Sequence, residues 1–133
     1  MEFHHGRLLD HVHFRVRDLE SSRRFYESAL GSLGLQLQGG EDFFWSDELF
    51  VSADGPLTEH LHLAFSAQDE EAVRRFHAAA IAGGGTDNGA PGEREYHPGY
   101  YAYVLDPDGN NIEAVYHGPV ERSAPSVVIK PLD

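Results

Sequence analysis

Polar and apolar residues alternate through "DHVHFRV", Asp10 to Val16. On an extended strand Asp10, Val12, Phe14 and Val16 share one side, and His11, His13 and Arg15 share the other. The period then changes. Phe25, Tyr26, Ala29 and Leu30 recur at helical spacing after Asp18, which has the chemistry of an N-cap, and Gly31 closes the segment. Short strand candidates follow in "LGLQL" and "DFFWSDELFVSA".

The same grammar returns 51 residues later. "HVHFRVRDLESSRRFYESALGSLG" (residues 11–34) lies over "HLAFSAQDEEAVRRFHAAAIAGGG" (62–85) without a gap, with 9 identities in 24 positions. His11 falls on His62, Phe14 on Phe65, Asp18 on Asp69, Arg23-Arg24-Phe25 on Arg74-Arg75-Phe76, and Gly34 on Gly85. In the second copy Asp69 is the cap, Phe76, Ala80 and Ile81 form the apolar stripe, and Gly83-Gly84-Gly85 ends the helix. "GYYAYVLD" and "NIEAVYH" then read as strands joined by the tight turn "DPDGN". The chain is thus α+β, two copies of strand, helix and about three strands. One copy is too small to bury its own sheet, so the two share a core, within the chain or across a dimer. Module one spans about 8–54, module two about 58–117, and 118–133 is a C-terminal tail of a single domain covering 1–133. In the tail, "SVVIK" is a candidate edge strand or dimer contact.

The repeat pairs His11 with His62 and leaves His13 opposite Ala64. Two histidines related by symmetry are either the start of a metal site or two hydrogen-bonded core residues. On the last strand Asn111, Glu113, Val115 and His117 share a face, and a carboxylate there needs a cation or an arginine such as Arg15 as partner.

Composition narrows the partners. The net charge is −12, and Lys130 is the only lysine beside nine arginines. Nucleic acid and anionic membrane surfaces are therefore not expected partners. The absence of cysteine removes disulfides, thiolate metal sites and cysteine nucleophiles. "MEFHHGRLLD" lacks a signal-peptide core, and a cytoplasmic location is expected.

"DHVHFRVRDLESSRRFYESALGSLGL", "HLAF" and "GYYAYVLDPDGNNIEAVYH" together resemble the vicinal oxygen chelate superfamily, which includes glyoxalase I, extradiol dioxygenases, and fosfomycin- and bleomycin-resistance proteins. The resemblance is to its small two-module, glyoxalase-like members. It implies two βαβββ modules in tandem forming a curled mixed sheet around a metal-binding cleft. It also implies one divalent ion per site (Fe, Zn, Ni, Co or Mn) held by His11, His62 and Glu113. The implied function is a divalent-metal-dependent lyase or isomerase acting on a small substrate with vicinal oxygens, in a homodimer. A fourth carboxylate, as in glyoxalase I, could come only from Glu48 at a shifted register. Glu48, His13 and His97 are candidate bases, and Arg15, Trp45, Tyr96, Tyr101 and Tyr103 candidate substrate contacts. Two alternatives stand beside this: iron(II) extradiol-type ring cleavage, and a bleomycin-resistance-like protein that binds a drug or metabolite without chemistry. A fosfomycin-type transferase would need a cationic pocket that one lysine does not offer. "GAPGEREYHPGYY", presenting Arg94, Tyr96 and His97, is expected as a loop over the cleft.

Overall fold

Both helices begin where an aspartate can satisfy free backbone N–H groups. Residues 1–132 are described by a computed structural model. In it Asp18, extended at φ −129°, accepts from the N–H of Glu20 and Ser21 at the start of α1 (Leu19–Gly31). Asp69 accepts from Ala72 N–H at the start of α2 (Glu70–Ala82). The buried stripe of α1 is Ser22, Phe25, Tyr26, Ala29 and Leu30. That of α2 is Ala72, Val73, Phe76 and Ala80, whereas Ile81, expected in the stripe, is exposed.

The strands are β1 (Val12–Arg15), β2 (Gln38–Gly39), β3 (Phe43–Ser46), β4 (Leu49–Ser52), β5 (His62–Ser66), β6 (Thr86–Arg94), β7 (His97–Leu105) and β8 (Asn111–Tyr116). They form two four-stranded mixed sheets, ordered β1-β4-β3-β2 and β5-β8-β7-β6. In each, the first strand pairs parallel with the last, and the other pairs are antiparallel. The chain is therefore βαβββ twice, as the repeat predicts, and neither sheet closes.

The strand registers extend the repeat beyond the aligned 24 residues. His13 stands opposite Phe50 and its repeat mate Ala64 stands opposite Glu113. On the next strand Trp45 faces Phe50, and Tyr103 faces Glu113. Phe50 and Glu113 thus occupy equivalent places, as do Trp45 and Tyr103.

One core serves both modules: Phe14, Phe25 and Phe44 belong to the same buried cluster as Phe76, Val104 and Ile112. Where the halves meet, Gly85 leaves no room for a side chain. A Cβ there would lie 2.5 Å from Val104 Cγ1 and 2.6 Å from Phe25 Cε1. Beside it the Tyr26 hydroxyl donates to Asp106 Oδ2 at 2.6 Å, while Asp106 Oδ1 accepts from Asp108 N–H and Asn110 N–H. "DPDGN" is thus a turn whose first carboxylate pins one module to the other. Burial, and then the Asp106 charge, pushes the Tyr26 phenol well above its ordinary range.

Three expectations need correction. β2 is a two-residue strand that begins after Leu37, and Leu35 and Leu37 of "LGLQL" pack on the core as irregular chain. "GAPGEREYHPGYY" is a hairpin of β6 and β7 turning at Glu95-Tyr96, with three register shifts in β6. An edge strand tolerates its glycines and Pro91 because one side of the strand has no ladder to break. "SVVIK" forms no strand; Val127, Val128 and Ile129 are exposed, and Pro125 and Pro131 on either side cannot donate to a ladder. Among the described residues no helix is long and apolar enough to cross a membrane.

Candidate functional site

Alternation along each strand sends one set of side chains to the shared core and the other to an open face. In the second sheet the open set meets around Glu113, whose flanking residues Ile112 and Ala114 are fully buried on the opposite side. Glu113 is itself only 6% exposed, and its Oε1 lies 2.7 Å from His62 Nε2, while the His62 side chain is 57% exposed. An imidazole nitrogen thus reaches solvent with a buried carboxylate behind it. The expected alternative partner, Arg15, is elsewhere: its Nε lies 3.4 Å from Asp54 Oδ1, and the Gly55 backbone packs against its guanidinium.

Aromatic rings extend this face. Tyr103 lies beside His62 with ring centres 6.3 Å apart, and Tyr101 stacks parallel to Tyr103 at 6.4 Å. Tyr96 and Tyr103 bring their hydroxyls to 3.2 Å. The Tyr101 hydroxyl reaches the Pro98 carbonyl at 2.7 Å and His97 Nδ1. Burial and the nearby Glu113 charge push the phenols of Tyr101 and Tyr103 above their ordinary value, and the Tyr96 hydroxyl bond adds to the rise for Tyr103. Both therefore stay protonated at neutral pH; Tyr101 gives its proton to the Pro98 carbonyl, and Tyr103 can donate.

The first sheet's open face has the same framework and different chemistry. His13 meets the edge of Phe50 at 4.8 Å and bonds Ser52 Oγ at 2.8 Å; the Ser52 hydroxyl in turn donates to Asp54. That hydroxyl bond is the main reason the Asp54 carboxyl lies below its ordinary value. His11, just before β1, pairs with Asp10 at 2.6 Å. His11, His13, Trp45 and Glu48 line a hollow of about 310 Å³.

The predicted residues therefore separate into two groups. His62, Glu113, Tyr96, Tyr101, Tyr103 and His97 lie on the second sheet. His11, His13, Arg15, Trp45 and Glu48 lie on the first. The modules join through one shared core and through the contact of α1 with α2. Among the described residues no three His, Asp or Glu side chains gather closely enough to hold an ion. His62 and Glu113 suit a divalent cation in kind, one nitrogen and one oxygen donor, and in number supply part of its shell. The Ser52–Asp54 contact has no distinctive sequence signal, since any serine can end a strand. The sequence reading missed the Tyr26–Asp106 bond, which spans 80 residues.

The family model of the glyoxalase/bleomycin resistance protein/dioxygenase superfamily matches residues 8–114. No curated protein matches the chain. Among solved structures, a glyoxalase/bleomycin resistance protein from Albidiferax ferrireducens T118 is 37% identical, with a TM-score of 0.70 over 81% of this chain and 97% of its own. A glyoxalase/bleomycin resistance protein/dioxygenase family enzyme from Burkholderia phytofirmans PsJN is 25% identical, with a TM-score of 0.63 over 80% and 95%. Glyoxalase I from Zea mays, at 20% identity and a TM-score of 0.59, shares the fold over 80% of this chain and 43% of its own.

Proposed function

Because the chain belongs to the glyoxalase/bleomycin resistance protein/dioxygenase superfamily, we propose that it is a divalent-metal-dependent lyase or isomerase acting on a small substrate with vicinal oxygens. The observation behind this reading is the His62–Glu113 pair, a solvent-facing imidazole with a buried carboxylate at 2.7 Å, on a face lined by protonated phenols.

In this reading His62 and Glu113 hold the ion (iron, zinc, nickel, cobalt or manganese) and His11 of a second copy completes the set in a homodimer. A bound divalent ion supplies Lewis-acid polarisation of the substrate oxygens. The protein's own groups do the rest. Tyr103 donates a hydrogen bond to the substrate, and Tyr101, stacked parallel to it and tied by its hydroxyl to the Pro98 carbonyl, contacts the substrate through its ring. His97, whose Nδ1 meets the same hydroxyl, is the base on this side of the site. His13 and Glu48 of the second copy enter from the first sheet's hollow. Arg15 and Trp45 of that face contact substrate at its rim.

Elemental analysis of protein purified without chelator tests this, together with Mn²⁺ binding by His62→Ala and His11→Ala and sedimentation of the wild type. The expected result is about one ion per chain, lost in His62→Ala and weakened in His11→Ala, in a dimer. Iron as the resident metal would turn the assignment to ring-opening dioxygenation. A second reading, a binding protein without chemistry, is favoured by the gathering of no more than two metal-type donors at His62 and Glu113 among the described residues. Protein that stays metal-free after exposure to all five ions would establish it in place of the enzyme.

A further inference from the structure

The edge strand β6 is built around one arginine. Gly89 and Gly92 flank its bulges, and each leaves space that a side chain would fill. A Cβ at Gly89 would lie 2.8 Å from Tyr103 Cδ2 and 3.3 Å from Arg94 Nη2, and one at Gly92 would lie 3.1 Å from Arg94 Nη1. The Arg94 guanidinium occupies that room, 5.6 Å from the Tyr103 ring centre. Two backbone carbonyls fix it: Nη2 donates to Ala90 at 2.6 Å and Nη1 to Glu93 at 3.1 Å. A guanidinium has five N–H donors, so three remain.

What Arg94 lacks is an acid. Arg15, Arg17, Arg23 and Arg74 each stand within 4.0 Å of a carboxylate, and the other arginines without one, Arg7, Arg24, Arg75 and Arg122, are exposed where Arg94 is half-buried. Among the described residues no carboxylate comes that close to Arg94, although the chain has a net charge of −12. Strand order places it across Tyr103 from the donor pair: β5 carries His62, β8 Glu113, β7 Tyr103 and β6 Arg94. A half-buried guanidinium held by two carbonyls, without a carboxylate partner and beside the Tyr103 ring, has the chemistry of an anion receptor.

We propose that Arg94 anchors a carboxylate of the small molecule bound on this face, so that the substrate class is an organic acid. The proposal rests on the reading of the His62–Glu113 face as the substrate site. It adds the charge of the ligand and the residue that selects it. Arg94 would hold one end of the molecule while its oxygens face His62 and Glu113. The fork geometry suits a carboxylate bidentately, and phosphate shares the same chemistry as the other source of an anionic head.

Calorimetric titration of the full chain with 3,4-dihydroxyphenylacetate, its neutral methyl ester and inorganic phosphate tests this. The acid carries a carboxylate at one end and vicinal hydroxyls at the other, across a ring. It should bind at least about tenfold more tightly than the ester. Arg94→Met should bring the two to equal affinity, and Arg94→Lys should keep part of the preference, because a point charge replaces the fork. Mn²⁺ binding should be the same in Arg94→Met as in wild type, so loss of metal and loss of the anchor are separate results. Equal affinity of acid and ester in the wild type would overturn the proposal, as would no binding of either or a preference that survives Arg94→Met. Phosphate binding without binding of the dihydroxyphenyl acid would overturn the organic-acid assignment. The acid–ester comparison needs no mutant and stands even if the variants unfold.

Discussion

The two modules share an element order, a strand register and nine identical residues in their first 24 positions, yet they differ where chemistry would occur. At equivalent places module one has Phe50, stacked with Phe43 and edged by His13, and module two has Glu113 against His62. The floor residue beside each is Trp45 in one and Tyr103 in the other. A duplicated framework can keep its backbone pairing with either pair, because only the helix-facing positions build the core. The open-face positions are then free to diverge, and at these equivalent places module two sets a carboxylate against an imidazole where module one has a phenyl ring.

Exchanging the divergent residue should produce the largest effect. Glu113→Phe copies module one into module two, and Mn²⁺ affinity followed by electron paramagnetic resonance should fall by about 100-fold or more. Phe50→Leu in module one should leave it unchanged. Equal losses in the two variants would mean that both faces contribute to one donor set through Phe50, and would break the comparison.

The repeat-matched glycines give the next largest contrast. Gly34 has φ +85° with nothing within 4 Å of a would-be side chain, so it serves backbone conformation. Gly85 serves contact: a side chain there would strike Val104, Phe25 and the Ala80 carbonyl, the last at 2.9 Å. Urea unfolding should find Gly85→Ala destabilised by about 3 kcal/mol and Gly34→Ala by about 1 kcal/mol. The reverse order would show that the seam between modules yields more readily than its packing implies.

These pairs also mark what the sequence made legible. Period, caps and repeat spacing disclosed both helices and most strands, because Asp18, Asp69 and the Phe25/Phe76 stripes act locally. His62 and Glu113 were brought together by the family resemblance, and the parallel pairing of β5 with β8 that sets their contact is a property of the folded sheet. The β6 hairpin was not legible. Its glycines and Pro91 read as loop residues, since an edge strand's missing ladder partner is a property of the sheet and not of the segment. Nor could the sequence tell how the modules join, through Gly85, Phe25, Tyr26 and Asp106, because these contacts have no local pattern.

Tyr26 and His77, matched in the repeat, provide the last and smallest test. Tyr26 reaches across to the buried Asp106 of the other module, whereas His77 bonds Asp87 within its own module at 2.9 Å on the surface. Tyr26→Phe would leave Asp106 Oδ2 without its donor and should lower stability by about 2 kcal/mol. His77→Gln should change it little, as exposed pairs do. The pH dependences run oppositely. The Tyr26 phenol is raised in the folded state above its ordinary value of 10.0, so the unfolded chain ionises first. Its contribution is complete below about pH 10 and is lost as pH rises through the folded value. The Asp87 carboxyl is lowered from 3.8, chiefly by the His77 bond, so its contribution is present above that pH and is lost as pH falls through the folded value. Wild-type unfolding midpoints should therefore drop above pH 10 by more than those of Tyr26→Phe. His77→Gln should narrow only the acid-side drop. An alkaline drop identical in wild type and Tyr26→Phe would assign that loss to Tyr101 and Tyr103, and would place the weakest joint on the open face and not at the seam.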